Sequence, residues 1–128
     1  MGLSRVSLAF FSVACLCGLA GMIAGVVMGI RQDFSLAPAH AHLNLLGWAT
    51  LALMGTFHAV ARSRGPAAWV NFGLSALGGV LMPLSLGFYL AGHKAFTSGM
   101  QVGALAAVCG MLTFVGLVLT AWSRSAPG

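Results

Sequence analysis

The amino-acid sequence predicts an all-α protein, an integral membrane four-helix bundle. Three observations carry that prediction. Of the 128 residues 59% are hydrophobic and only 5% are charged, against roughly 25% charged in a soluble domain. The apolar residues gather in four stretches, about 6–30, 39–61, 67–91 and 99–122. Each is long enough for the roughly 20 residues that cross a hydrocarbon core of about 30 Å. Short polar loops join them, and a backbone surrounded by lipid must satisfy its own N–H and C=O groups, which makes each stretch a helix. Residues 1–128 therefore form a single transmembrane domain with no soluble appendage, and its first partner is the lipid bilayer.

The charges fit this reading. The formal net charge of +5 comes from six Lys and Arg against one acid, Asp33. In a soluble chain such a balance would point to nucleic acid. Here the basic residues sit only at the ends of apolar runs, where they act as topology signals and headgroup contacts, so no nucleic-acid partner is expected. Arg5, Arg62, Arg64 and Arg124 flank one side, whereas Arg31 and Lys94 flank the other. By the positive-inside rule both termini are cytoplasmic and loops 31–38 and 92–98 face outward. The expected location is a bacterial inner (cytoplasmic) membrane, crossed in multiple passes. Cys15, Cys17 and Cys109 lie inside apolar runs without a CxxC pair, so no disulfide framework is expected.

Taken in order, the first span begins after Arg5 in the manner of a signal peptide. Its run is too long, however, and no small-residue cleavage pattern leads into a polar mature sequence, so it is expected to be retained. Gly18, Gly21, Gly25 and Gly29 fall along one face of it, a ladder that lets another helix approach closely. The second span opens at Pro38, whose missing N–H costs nothing in a first helical turn. His40 and His42 follow immediately. The third span opens at Pro66 with Trp69 at the interface, carries Gly78, Gly79 and Pro83 as the elements of a kink, and ends at Tyr89 to Gly92, just before His93. The fourth runs from Gly99 to Trp122, a second interfacial anchor.

Antiparallel spans bring the outer ends together, so His40, His42 and His93 are expected at one level of the membrane, with Met28 and Met100 at the same depth. Imidazole and thioether donors suit haem iron or copper. Residues two apart on a helix of 3.6 residues per turn point in nearly opposite directions, so His40 and His42 serve two faces. His40 and His58 stand eighteen residues apart, a whole number of turns, and share a face with Asn44, Gly47, Leu51 and Met54. Asn44 is placed to orient an imidazole or a haem propionate by hydrogen bonding. Two imidazoles in the first turns of an uncharged span are costly to keep in a membrane without a role. Catalysis by side chains alone is poorly supplied: the one carboxylate is Asp33, and neither a Ser-His-acid set nor a Cys-His pair stands out.

The string from Ala39 to Trp48, Ala-His-Ala-His-Leu-Asn-Leu-Leu-Gly-Trp, resembles a signature of small four-span bacterial membrane proteins grouped with the haem–copper (cytochrome c) oxidase subunit I superfamily. It is also similar to the His-x-His of subunit I itself, where one helix runs between two haems and supplies an axial ligand to each. Leu36-Ala37-Pro38 and Gly29-Ile30 fit the same small family. What the resemblance implies here is haem ligation by His40 and His42. The chain departs from subunit I in having four spans instead of twelve or more, and in lacking the copper-site histidines and the cross-linked tyrosine. It is therefore not expected to be a complete oxygen reductase.

The leading expectation is a haem-binding membrane protein acting in electron transfer or haem-linked sensing. Its cofactor would be haem b (heme b), with His42 and His93 as axial ligands at the outer side and His40 serving a second haem or a neighbouring subunit. A copper-binding protein using Met28, His40, His42, His93 and Met100 is the first alternative. A cofactor-free assembly or accessory subunit, docking through the glycine face of the first span, is the second. Four helices barely enclose a haem, which points to a homo-oligomer or a larger membrane complex.

Overall fold

A computed structural model describes residues 2–125. It contains four long helices: α1 (Arg5–Arg31), α2 (Ala37–Val60), α3 (Pro66–Leu90) and α4 (Thr97–Ser125). All four are long and apolar enough to cross a membrane. Their bounds fall within a few residues of those expected from hydropathy, and a short 3₁₀ turn, Lys94–Phe96, leads into α4.

Local chemistry explains the ends. Ser4 caps α1, its Oγ accepting the N–H of Ser7 at 3.2 Å, which satisfies one of the free donors of a helix start. Proline stands in the first turn of α2 and of α3, as expected. Gly65 before α3 and Gly92 after it both adopt φ of 100°, a region that disfavours any side chain.

The helices run up and down in antiparallel order. The α3–α4 seam is the most extensive, α2 packs against both α1 and α3, and among the described residues α1 and α4 share no comparable contact. Small residues set the α3–α4 seam. A methyl group at Gly78 would run into the backbone of Ala107, one at Gly103 would meet the backbone of Met82, and one at Gly110 would collide with Ser75. Gly99, Gly103 and Gly110 thus form a second small-residue ladder, which lets two backbones touch where lipid provides no hydrophobic push.

α2 is not uniform. Leu43–Thr50 is wound as a π-helix, and two side chains satisfy carbonyls at its ends. Asn44 Nδ2 donates to the His40 carbonyl at 3.1 Å, and Thr50 Oγ1 donates to the Leu45 carbonyl at 2.7 Å. Such side-chain bonds compete with the regular ladder, and π segments are frequent at functional sites. In the middle of this stretch α2 touches α3. A methyl group at Gly47 would lie 2.9 Å from the Gly79 carbonyl oxygen, and one at Gly79 would lie 2.9 Å from the Leu46 carbonyl oxygen. α3 continues unbroken through the buried Pro83, whose lack of an N–H leaves that same Gly79 carbonyl without its usual partner in the helix. The two glycines let the freed carbonyl approach the backbone of α2 where any side chain would be in the way.

The apolar core, around Phe10, Leu51 and Met54, lies towards the arginine-bearing end. At the opposite end the helices splay and leave a cavity.

Candidate functional site

The cavity has a volume of about 640 Å³ and lies between α1, the start of α2 and the end of α3. Its walls are Ala, Val, Leu, Ile and Phe side chains together with Pro83 and Gly87, and His40 is the one ring-nitrogen side chain among them. Met28 is the one thioether. The volume sits inside the roughly 300–1,000 Å³ typical of ligand sites, which are mostly apolar with a few placed polar groups.

α1 holds His40 in position. A methyl group at Gly25 would lie 3.0 Å from His40 Cε1, one at Gly21 would collide with the Asn44 amide, and one at Gly18 would lie 3.1 Å from the Trp48 ring. The glycine ladder therefore does permit a close approach, but what it receives is the row His40, Asn44, Trp48 of this chain's own α2. Asn44 Nδ2 stands 3.3 Å from both ring nitrogens of His40, so the amide reaches the imidazole as the sequence suggested. Gly29 has nothing within 4 Å and lies beyond the ladder's occupied part.

The face expected to carry His40, Asn44, Gly47, Leu51, Met54 and His58 does turn inward: the last four are buried, and His40 and Asn44 are partly so. The other candidates are placed differently. His42 points away from the cavity, as its two-residue offset from His40 requires. It is partly exposed, and its Nδ1–H donates to the Pro38 carbonyl at 2.7 Å, leaving Nε2 as the bare nitrogen. His93 is exposed in the α3–α4 connection, with its ring edge-on to Phe88 at 6.3 Å. His42, His93 and Met100 do not line the cavity. Among the described residues no three of His, Cys, Asp and Glu stand together as a metal site. Of the five residues expected for copper, the cavity takes Met28 and His40. Cys15, Cys17 and Cys109 are all free thiols.

His58 belongs to another environment, deep at the other end of α2. It is fully buried, stacked on Phe10 at 5.1 Å between ring centroids, with Phe57 and Phe114 edge-on. Its Nε2–H donates to Asn71 Oδ1 at 2.9 Å. Asn71 Nδ2 in turn donates to the Gly110 carbonyl at 2.9 Å and to Thr113 Oγ1 at 3.1 Å. Those acceptors fix which way the amide points, and hence which imidazole nitrogen carries the proton. His58 Nδ1 has no partner among the described residues. Asn71, Ser75 and Thr113 were not singled out from sequence. An asparagine inside an apolar span was the available signal, since intramembrane amides are rare and seek partners on other helices.

Comparison finds no match. This holds for protein-family models, for curated proteins and for solved structures alike.

A mostly apolar group that can bond to an imidazole nitrogen is what the lining suits. Its walls offer a large apolar surface, one imidazole beside an amide and a glycine, and one soft thioether. A small hydrated cation would find no ring of oxygen donors there.

Proposed function

We propose that this chain is a multi-pass protein of a bacterial inner membrane that holds haem b in the cavity beside His40, and acts in electron transfer or haem-linked sensing. The observation that carries the proposal is the placement of His40 as the sole imidazole in an otherwise apolar cavity of about 640 Å³. The resemblance of the Ala39–Trp48 string to haem–copper oxidase subunit I points the same way. Asn44 Nδ2 stands 3.3 Å from both ring nitrogens; as a donor it competes for the bare nitrogen, so iron binding would require the amide to turn and present Oδ1 to the ring N–H.

The residues fit the group in three respects. His40 would hold the iron through a ring nitrogen. Met28, which lines the same cavity, would add a thioether, and a His and Met donor set raises a haem potential. The apolar walls would exclude water, which favours the less charged reduced state. When bound, haem contributes a one-electron couple. The chain's own part is to bind it, orient the imidazole and keep the site dry. His42 presents Nε2 on the opposite face, suited to a second haem or to a neighbouring subunit in an oligomer.

The test is an absorption spectrum, oxidised and dithionite-reduced, of protein expressed with ample haem and purified in mild detergent, together with a pyridine haemochrome assay. The expected result is a Soret band with sharp reduced α and β bands that His40→Ala abolishes. Met28→Leu should retain haem and convert it to a high-spin spectrum. A protein that takes up no haem, or a His40→Ala variant with an unchanged spectrum, would overturn the proposal.

A further inference from the structure

At the end of the molecule opposite His40, three arginines from two separate segments surround one hollow. Arg62 and Arg64 come from the α2–α3 loop, and Arg124 from the last turn of α4. The hollow has a volume of about 530 Å³ and is two-natured. Its rim carries the guanidinium groups with the hydroxyls of Ser63, Thr120 and Ser125. Its wall on the membrane side is apolar, formed by Phe57 and Leu117. Arg64 also borders two adjoining hollows, of about 330 and 470 Å³, the first of which includes Arg5 and Trp69. No acidic side chain of this chain is near: the single one, Asp33, belongs to the α1–α2 loop at the far end. The depth is that of a lipid headgroup, since Trp69 and Trp122 are exposed at this end, the position of interfacial aromatic anchors.

We infer that this hollow is a binding site for an anionic phospholipid. Its phosphate would be held by Arg64 and Arg124, and its acyl chain would start down the wall formed by Phe57 and Leu117. Guanidinium groups match phosphate oxygens in a two-pronged fork. The Thr120 and Ser125 hydroxyls donate to the Gly116 and Ala121 carbonyls of α4, which leaves their oxygens to accept from the hydroxyls of a glycerol headgroup. A free phosphate would use the rim and leave the apolar wall unused, which is why a phospholipid is the better fit. Basic pockets between transmembrane helices bind anionic headgroups for the same reason. The inference is independent of haem, because the two sites lie at opposite ends of the bundle.

The experiment uses the full chain in a maltoside detergent. Native mass spectrometry and thermal unfolding are run with palmitoyl-oleoyl phosphatidylglycerol, with phosphatidylcholine of the same chains, and with inorganic phosphate. Wild type should retain phosphatidylglycerol in preference to phosphatidylcholine and melt at a higher temperature with it. The double variant Arg64→Gln/Arg124→Gln should lose that preference, with affinity roughly tenfold or more lower, while Arg31→Gln at the other end should keep it. Equal retention of the two lipids by wild type would overturn the site, and that comparison does not depend on any variant folding. So would a double variant that folds and keeps the preference. If inorganic phosphate alone matched the stabilisation given by phosphatidylglycerol, the site would be a plain anion site and the lipid assignment would fail.

Discussion

His40 and His58 stand on one helix and both face inward, yet the protein treats them in opposite ways. His58 is sealed: it is fully buried, enclosed by Phe10, Phe57 and Phe114, and tied through Asn71 to the Gly110 carbonyl of α4. His40 is presented: it is partly buried, braced by Asn44 and Gly25, and it borders an open apolar cavity. The difference lies in what the neighbouring helices bring. At the sealed end α3 supplies an amide that takes the imidazole Nε2–H, and α4 supplies the carbonyl and hydroxyl that hold that amide in place, while Nδ1 stays enclosed without a partner among the described residues. At the open end α1 and α3 supply apolar side chains such as Ala24, Val27 and Leu84, with Gly87 and Pro83, which offer the imidazole no hydrogen-bond partner. A histidine in a membrane helix is thus a structural group where partners converge on it, and a candidate ligand where they withdraw.

That contrast can be broken most forcefully at Asn71. Replacing Asn71 with Leu leaves the N–H of His58 unmatched in a dry interior and takes one donor from the Gly110 carbonyl and the Thr113 hydroxyl, at a cost of about 2 kcal/mol. Unfolding in mixed micelles should show the loss. A variant as stable as wild type would mean that the sealed cluster is not structural. Gly21→Leu comes next. Its side chain collides with the Asn44 amide, and overpacking of this kind costs roughly 1–3 kcal/mol. The same variant should also disturb any haem spectrum, because Asn44 braces His40. His40→Ala should change stability by less than about 1 kcal/mol, since the ring borders empty volume, while still abolishing haem uptake. A large loss of stability in His40→Ala would show that His40 is sealed in the manner of His58.

The smallest expected effect is at Asp33 in the α1–α2 loop. Its Oδ1 accepts the Ser35 N–H at 3.0 Å. That backbone bond, with the Ser35 side chain and Arg31 as further contributors, holds the carboxyl below its ordinary value. A depressed folded value means that the contribution is complete above the unfolded value and fades as pH falls through the folded one. Wild type should therefore exceed Asp33→Ala slightly in stability near neutral pH, with the gap closing on acidification. A gap that persisted in strong acid would point to a cause other than the carboxylate charge.

The two glycine ladders show how far sequence reasoning reached. The α1 ladder was visible from its spacing, and so was its consequence, a close approach. Its occupant was not, because spacing says that a neighbour fits and not whether that neighbour is a second chain or the row His40, Asn44, Trp48. The ladder of Gly99, Gly103 and Gly110 was equally present in the sequence. It has meaning only beside Gly78, Ser75 and Met82 of α3, and intramembrane packing leaves no hydrophobic stripe from which to read such a pairing. The gathering of His40, His42 and His93 at one level followed from antiparallel topology. Depth alone does not fix azimuth, and the helix phase that turns His42 outward, with a connection that leaves His93 exposed, keeps them from forming one site.

By itself the sequence determined the helices, their ends and the all-α class. Lipid leaves the backbone no other way to satisfy its hydrogen bonds, and the prolines and the short loops mark where helices start or stop. It also determined that Asn44 would reach His40, since residues four apart on a helix are neighbours. Tertiary structure alone decided which histidine is sealed and which is presented, where α2 relaxes into a π-helix against Gly79, and which arginines share a hollow. Those outcomes depend on how far each pair of helices can close, and that distance is set by side chains distant in the chain meeting one another.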